Sequence, residues 1–124
     1  MKHRGAYAAI LLSTLLLPGA AMAEYSAGDE IKVLQGFKAG GGSDALAQLT
    51  QPFLRESLGV DFVNEYLPGA TGAIAWTRLA KQTEADGTTI SITNTPMLMT
   101  NYIMNDTITY SVDELTPIAN VVTD

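Results

Sequence analysis

Gly36-Phe37-Lys38-Ala39-Gly40-Gly41-Gly42-Ser43-Asp44 lies between a short apolar run, Ile31 to Leu34, and a helical pattern beginning at Ala45. The order is strand, glycine loop, helix. Three consecutive glycines remove every Cβ from the turn, so the backbone can take positive φ and come close to a bound group. The helix that follows points its unpaired N–H groups and the positive end of its dipole into the same space, which suits a small anion. A second loop of the same make, Pro68-Gly69-Ala70-Thr71-Gly72, again follows an apolar run and precedes a helical stretch.

Working outward, the chain alternates strand and helix three times. Ile31 to Leu34 is a first strand, and Ser43 or Asp44 is placed to cap the helix after it. Leu46, Leu49 and Phe53 form one apolar face of that helix, widened by Leu54 and Leu58. Pro52 predicts a kink, or a restart near Thr50, and Gly59 a stop. Val60 to Asn64 is a second strand and Ala73 to Thr83 a second helix, with Trp76 read as core rather than as a ligand platform. Asp86-Gly87 marks a turn before a third strand, Thr88 to Thr93. Thr95 caps a third helix with Pro96 in its first turn, and Met97, Met99 and Met104 are read as core filler. Ser111-Val112-Asp113-Glu114 matches a capping box, and Ile118 to Val122 is strand-like. This alternation predicts an α/β fold with a parallel sheet whose strand-to-helix loops share one edge, where ligands of such sheets bind.

The 124 residues open with the features of an export signal: basic Lys2, His3 and Arg4, an apolar core from Ala6 to Leu17, and Ala21-Met22-Ala23 as a cleavage pattern. Residues 1–23 are therefore expected to be a signal peptide, leaving 24–124 as one domain bound for the periplasm. That remainder has five basic and thirteen acidic side chains, a net charge of −8, so it carries no electrostatic footprint for nucleic acid. An anion would have to be held largely by backbone N–H groups. His3 is the only histidine and there is no cysteine, which excludes Ser-His-Asp and Cys-His catalysis and the usual zinc sites from the mature chain.

The loop after the first strand departs from a nucleotide phosphate loop, because Ser43-Asp44 stands where Lys and then Ser or Thr are needed. As a dinucleotide motif it ends in Ala45 rather than glycine. Asp44 has two readings, a helix cap and a partner for a ligand ammonium or hydroxyl. Tyr66 has two as well, stacking on a ligand and covering the sheet edge. Lys38 and Glu65 flank the loops and read as solvated charges.

These loops resemble those of the extracytoplasmic solute-binding proteins of tripartite tricarboxylate transporters, the Bug or TctC family. Gly36 to Asp44 is similar to the family's Pro-Phe-x-x-Gly-Gly-x-Thr-Asp loop, and Pro68 to Gly72 to its Pro-Gly-Ala-Gly-Gly loop. Asp86-Gly87 stands where the family has Asp-Gly-Tyr-Thr, and Asp113-Glu114-Leu115-Thr116-Pro117-Ile118 resembles the segment before its crossover strand. Gly36 replaces a proline of that pattern and Tyr66 an asparagine. The resemblance implies a periplasmic-binding-protein-like (type II, Venus flytrap) fold. The chain would be the opening part of lobe 1, incomplete at its C-terminus, since family members are more than twice as long. It also implies a small organic carboxylate as ligand, the membrane components of the transporter as partners, a monomer, no cofactor, no metal and no catalysis. Carried over, Phe37, Gly41, Gly42, Ser43 and Asp44 would form one jaw, Ala70, Thr71 and Gly72 the next, with Asn94 and Thr95 at the end of the third strand. Two rival expectations are an exported hydrolase or transferase fragment using Asp44 or Glu65 as acid and base, and a sensor module derived from a binding protein.

Overall fold

The computed structural model describes residues 25–123. The expected signal peptide, residues 1–23, lies outside the described residues. Three strands, β1 (Glu30–Gln35), β2 (Asp61–Tyr66) and β3 (Thr89–Ile92), form one parallel sheet in the order β2-β1-β3. The register pairs Val33 with Asn64 on one side and with Ile90 on the other. Helix α1 (Gly42–Leu58) joins β1 to β2, α2 (Ala73–Gln82) joins β2 to β3, and α3 (Thr95–Met104) follows β3. The expected α/β class with a parallel sheet flanked by helices is what the chain forms.

Alternation along β1 divides the core in two. Ile31 and Val33 pack with Val60, Phe62 and the half-buried Ile90 and Ile92 on one face. Leu34 faces the other way, into a cluster with Ala73, Ala75, Trp76 and Tyr110. Trp76 is fully buried, so it is core as read, and burying so large a ring contributes on the order of 2–3 kcal/mol. Its ring meets Tyr110 edge-on at 6.4 Å between centroids, an arrangement worth about 1 kcal/mol more. The Tyr110 hydroxyl donates to the Leu98 carbonyl, tying α3 to this cluster.

Several expectations are corrected. Helix α1 begins at Gly42 rather than Ala45, with Gly41 at the N-cap and no side-chain cap, so neither Ser43 nor Asp44 caps it. It runs through Pro52 as one element. Its predicted apolar face is largely outside: Phe53 is 70% and Leu49 66% exposed, and only Asp44 and Ala47 are buried. What anchors α1 is polar, an amide pair between Gln51 and Asn64 whose Asn64 Oδ1 also accepts from Gln35 Nε2 at 3.0 Å. The α3 methionines are not core filler, since α3 buries no residue. Asn94 rather than Thr95 holds the α3 N-cap position. Ile118 to Val122 forms no strand and stays exposed, joining neither β2 nor β3, the edges of the sheet. The Ser111–Glu114 capping box and the Asp86 turn, in which the Thr88 N–H donates to Asp86 Oδ1 at 2.9 Å, form as expected.

Candidate functional site at the carboxyl ends of the strands

The loops after β1 and β2 touch through two glycines. A Cβ on Gly36 would lie 2.7 Å from the Cα of Gly72, so neither loop tolerates a side chain at that seam. On its other side Gly72, at φ +92°, is backed by the Trp76 ring, 2.6 Å from where its own Cβ would be. Gly36 stands where the family pattern has proline, and the approach of Gly72 is the structural counterpart of that departure. The core tryptophan thus sets the height of the second loop, and the second loop limits the first.

In the first loop, the Gly41 N–H closes a turn on the Lys38 carbonyl, and Ala45 N–H is the first to bond back, to the Gly41 carbonyl at 2.9 Å. The amides of Gly42, Ser43 and Asp44, the opening turn of α1, have no acceptor among the described residues. The Asp44 carboxylate, nine-tenths buried, turns back on the loop. One oxygen accepts the Gly40 N–H at 2.8 Å and the other the Tyr66 hydroxyl at 2.7 Å. The Gly40 amide first, then Tyr66, with a smaller contribution from Gln48, hold the Asp44 carboxyl below the usual carboxylate range against the cost of burial. The same bond, with desolvation, raises the Tyr66 phenol. Asp44 is not the cap, and its carboxylate is bonded within the loop edge with Tyr66 as partner.

The second loop is strained. Gly69, Ala70, Thr71 and Gly72 follow one another at φ +143°, +44°, +53° and +92°. For Ala70, and more so for β-branched Thr71, the left-handed region is costly, and such outliers collect at functional sites. The Gly72 N–H closes on the Gly69 carbonyl at 3.0 Å, whereas the amides of Ala70 and Thr71 have no acceptor among the described residues. Successive amides of this kind form a concavity for an anion. From α3, the two hydrogens of the Asn101 side-chain amide reach the Ala70 and Thr71 carbonyls, at 3.2 and 3.1 Å.

The sequence-derived residues fall as follows. Gly41, Gly42, Ser43 and Asp44 lie at the start of α1, Ala70 and Thr71 in the exposed second turn, and Gly72 in the seam. Asn94 and Thr95 are exposed at the start of α3, where the Thr95 and Met97 amides lack an acceptor among the described residues. Phe37 is half-buried against the Leu34–Trp76–Tyr110 cluster, so its ring supports the loop from beneath. Three contributors escaped sequence reading: Gly36 as a spacing requirement, Tyr66 as partner of Asp44, and Asn101. Gly36 and Tyr66 carried a signal, each as a departure from the family pattern, and Asn101 carried none. Glu65, read as a solvated charge, pairs with Arg78 and Lys32 on the α2 side of the sheet, while Lys38 is exposed. A recess of about 260 Å³ at the amino ends of the strands is lined by Lys32, Arg78, Glu84, Asp86 and neighbours, and by no glycine-loop residue. Lys32 and Arg78 there are paired with Glu65, and Asp86 accepts from Thr88, so the unpaired amides mark the better candidate.

No family model matches the chain, and no curated protein matches it. Among solved structures, one described as a periplasmic transporter is similar to it, with a TM-score of 0.60 and 30% sequence identity over 66% of this chain and 27% of that one. The chain therefore spans about a quarter of that neighbour's length. No helix among the described residues is long and apolar enough to cross a membrane. The parallel sheet, the loop edge and this likeness together relate the chain to part of a periplasmic transport protein.

Proposed function

We propose that the chain is the ligand-holding part of an extracytoplasmic solute-binding protein that captures a small organic carboxylate for a membrane transporter of the tripartite tricarboxylate type. The observation that carries this reading is the set of unpaired backbone amides, at Gly42 to Asp44 and at Ala70 and Thr71, on two loops joined at the Gly36–Gly72 seam. Amide donors at a helix start suit a carboxylate, whose charge is smaller than that of a polyphosphate. Asp44, the nearest negative charge, spends both oxygens on Gly40 and Tyr66. Phe37, Gly41 and Ser43 shape the first jaw in this reading, Gly72 the second, and Asn94 and Thr95 border it.

The protein performs no chemistry in this reading. The carboxylates that an acid–base mechanism would use are engaged elsewhere, Asp44 as above and Glu65 with Arg78 and Lys32. Export to the periplasm and a monomeric state belong to the same proposal. The test is thermal stabilisation by acetate, succinate, citrate, glutamate and benzoate, each alongside its neutral amide analogue. At least one carboxylate should raise the melting temperature while its amide does not, as linkage requires of a ligand bound only by the folded state. Equal shifts from acid and amide, or none from any acid, would overturn it.

A further inference from the structure

The least expected feature of the loop edge is a side chain that touches no candidate ligand group. Two non-glycine residues in succession at left-handed φ, Ala70 and Thr71, are costly against an ordinary turn, so some contact must favour this shape. Backbone bonds within the turn supply part: Gly72 N–H to Gly69 carbonyl, and Ala73 N–H to Ala70 carbonyl. The remaining contact comes from another element. Asn101, the seventh residue of α3, is half-buried and directs its amide nitrogen at both carbonyls of the strained pair. Only a planar –NH2 group carries two hydrogens in a fork of this kind, and the acceptors fix which side-chain atom faces them.

The consequence follows from peptide geometry. A carbonyl shares its peptide plane with the next residue's N–H, so drawing the Ala70 and Thr71 carbonyls towards α3 aims the Thr71 and Gly72 N–H groups, and the Ala70 N–H, one peptide earlier, follows through the left-handed Ala70 backbone. α3 starts at the end of β3, whereas the turn follows β2 on the other flank of β1. Asn101 therefore joins the third strand-end segment to the second, as the Gly36–Gly72 seam joins the second to the first.

We propose that Asn101 is a positioning residue for the second glycine loop, holding Ala70 and Thr71 left-handed so that their amides are presented in advance of the ligand. The inference rests on the reading of those amides as ligand donors, and it adds the group that orders them. Preorganisation of this kind lowers the ordering cost that a ligand would otherwise meet.

The test uses the full chain with Asn101→Ala, the isosteric non-donor Asn101→Asp, Thr71→Gly, and Asn101→Ala combined with Thr71→Gly. Without any ligand, both Asn101 variants should displace the amide resonances of Ala70 and Thr71 while those of Gly42, Ser43 and Asp44 stay in place. Thr71→Gly removes the steric cost that Asn101 offsets. The fall in melting temperature caused by Asn101→Ala should then be roughly halved in the Thr71→Gly background, the non-additivity expected of coupled neighbours. With whichever acid of the panel binds, Asn101→Ala should weaken binding by roughly tenfold, the equivalent of leaving one left-handed residue to be ordered by the ligand. Unmoved Ala70 and Thr71 resonances, or strictly additive melting shifts, would overturn the positioning role. The resonances judge Asn101 with no ligand present and the panel judges carboxylate binding with no variant, so the two failures are distinguishable.

Discussion

Replacing Gly36 by alanine tests the seam on which the loop edge is built. The added Cβ would sit 2.7 Å from the Gly72 Cα and 3.2 Å from its carbonyl oxygen, both backbone atoms that no rotamer change can move aside. Carbon atoms in contact stand about 3.5–4 Å apart, so the two loops must part by roughly 1 Å. Gly72 cannot retreat, since the Trp76 ring fills the space behind it. Overpacking of this sort costs about 1–3 kcal/mol. In a domain of about 100 residues each kcal/mol lowers the melting temperature by about 4–8 °C, so a fall of roughly 4–24 °C is expected. Gly36 is not at positive φ, so the effect is steric and not conformational. Gly42→Ala is the matched control: a Cβ there meets nothing within 4 Å, and alanine at the start of α1 should be neutral or slightly stabilising. Urea denaturation of the three proteins, followed by the fluorescence of the single tryptophan, gives the comparison. A Gly36→Ala protein within about 0.5 kcal/mol of Gly42→Ala, the scatter of innocuous substitutions, would refute the seam.

Four further outcomes are expected. Trp76 should emit at short wavelength and resist acrylamide quenching until the chain unfolds, and Trp76→Ala should cost about 3–5 kcal/mol by denaturant titration. Asp44 has its folded pKa depressed below the unfolded value, so the stability it confers is complete above the ordinary carboxylate pKa, about 3.9, and drains away as pH falls through the folded value. Asp44→Asn should accordingly flatten the acid limb of a melting-temperature profile. Tyr66→Phe, by removing one of the two donors, should raise the Asp44 pKa in a carboxyl NMR titration, and an unmoved value would contradict the bond between them. Leu49→Lys and Phe53→Lys, on the outer face of α1, should leave stability within about 0.5 kcal/mol while reducing light scattering in concentrated samples. A large loss would show that this face is covered.

What could be read from the residues and what could not divides along the range of the interactions. The glycine loops, the order of strands and helices, and the Ser111–Glu114 box are local, and each residue type there has a short-range cause. The burial of α1 was misread because periodicity reports that a helix is two-faced, without reporting what lies opposite. Leu49 and Phe53 keep the spacing of a core face and stand in solvent. The same holds for Ile118 to Val122, apolar and β-branched yet exposed and unpaired with the sheet. The contacts that shape the site cross long stretches of chain: Asp44 to Tyr66 over 22 positions, Ala70 to Asn101 over 31. No spacing rule within one element encodes them. Gly36 was visible as a glycine, but the reason for it, a backbone 2.7 Å from its missing Cβ, needs the folded chain.

Among the described residues the exposed Lys38 is the one cation on the two glycine loops, which shapes how an anion would arrive as well as how it would be held. Fields from peptide dipoles die away within a few ångströms, whereas the surplus of thirteen acidic over five basic side chains from residue 24 onward reaches out to the Debye length, about 10 Å at moderate ionic strength. In the proposed role, these charges repel from afar the anion that the amides would hold on contact. Adding salt should therefore quicken capture of a negatively charged solute while hardly altering how long it stays, the reverse of a pocket built on arginine or lysine.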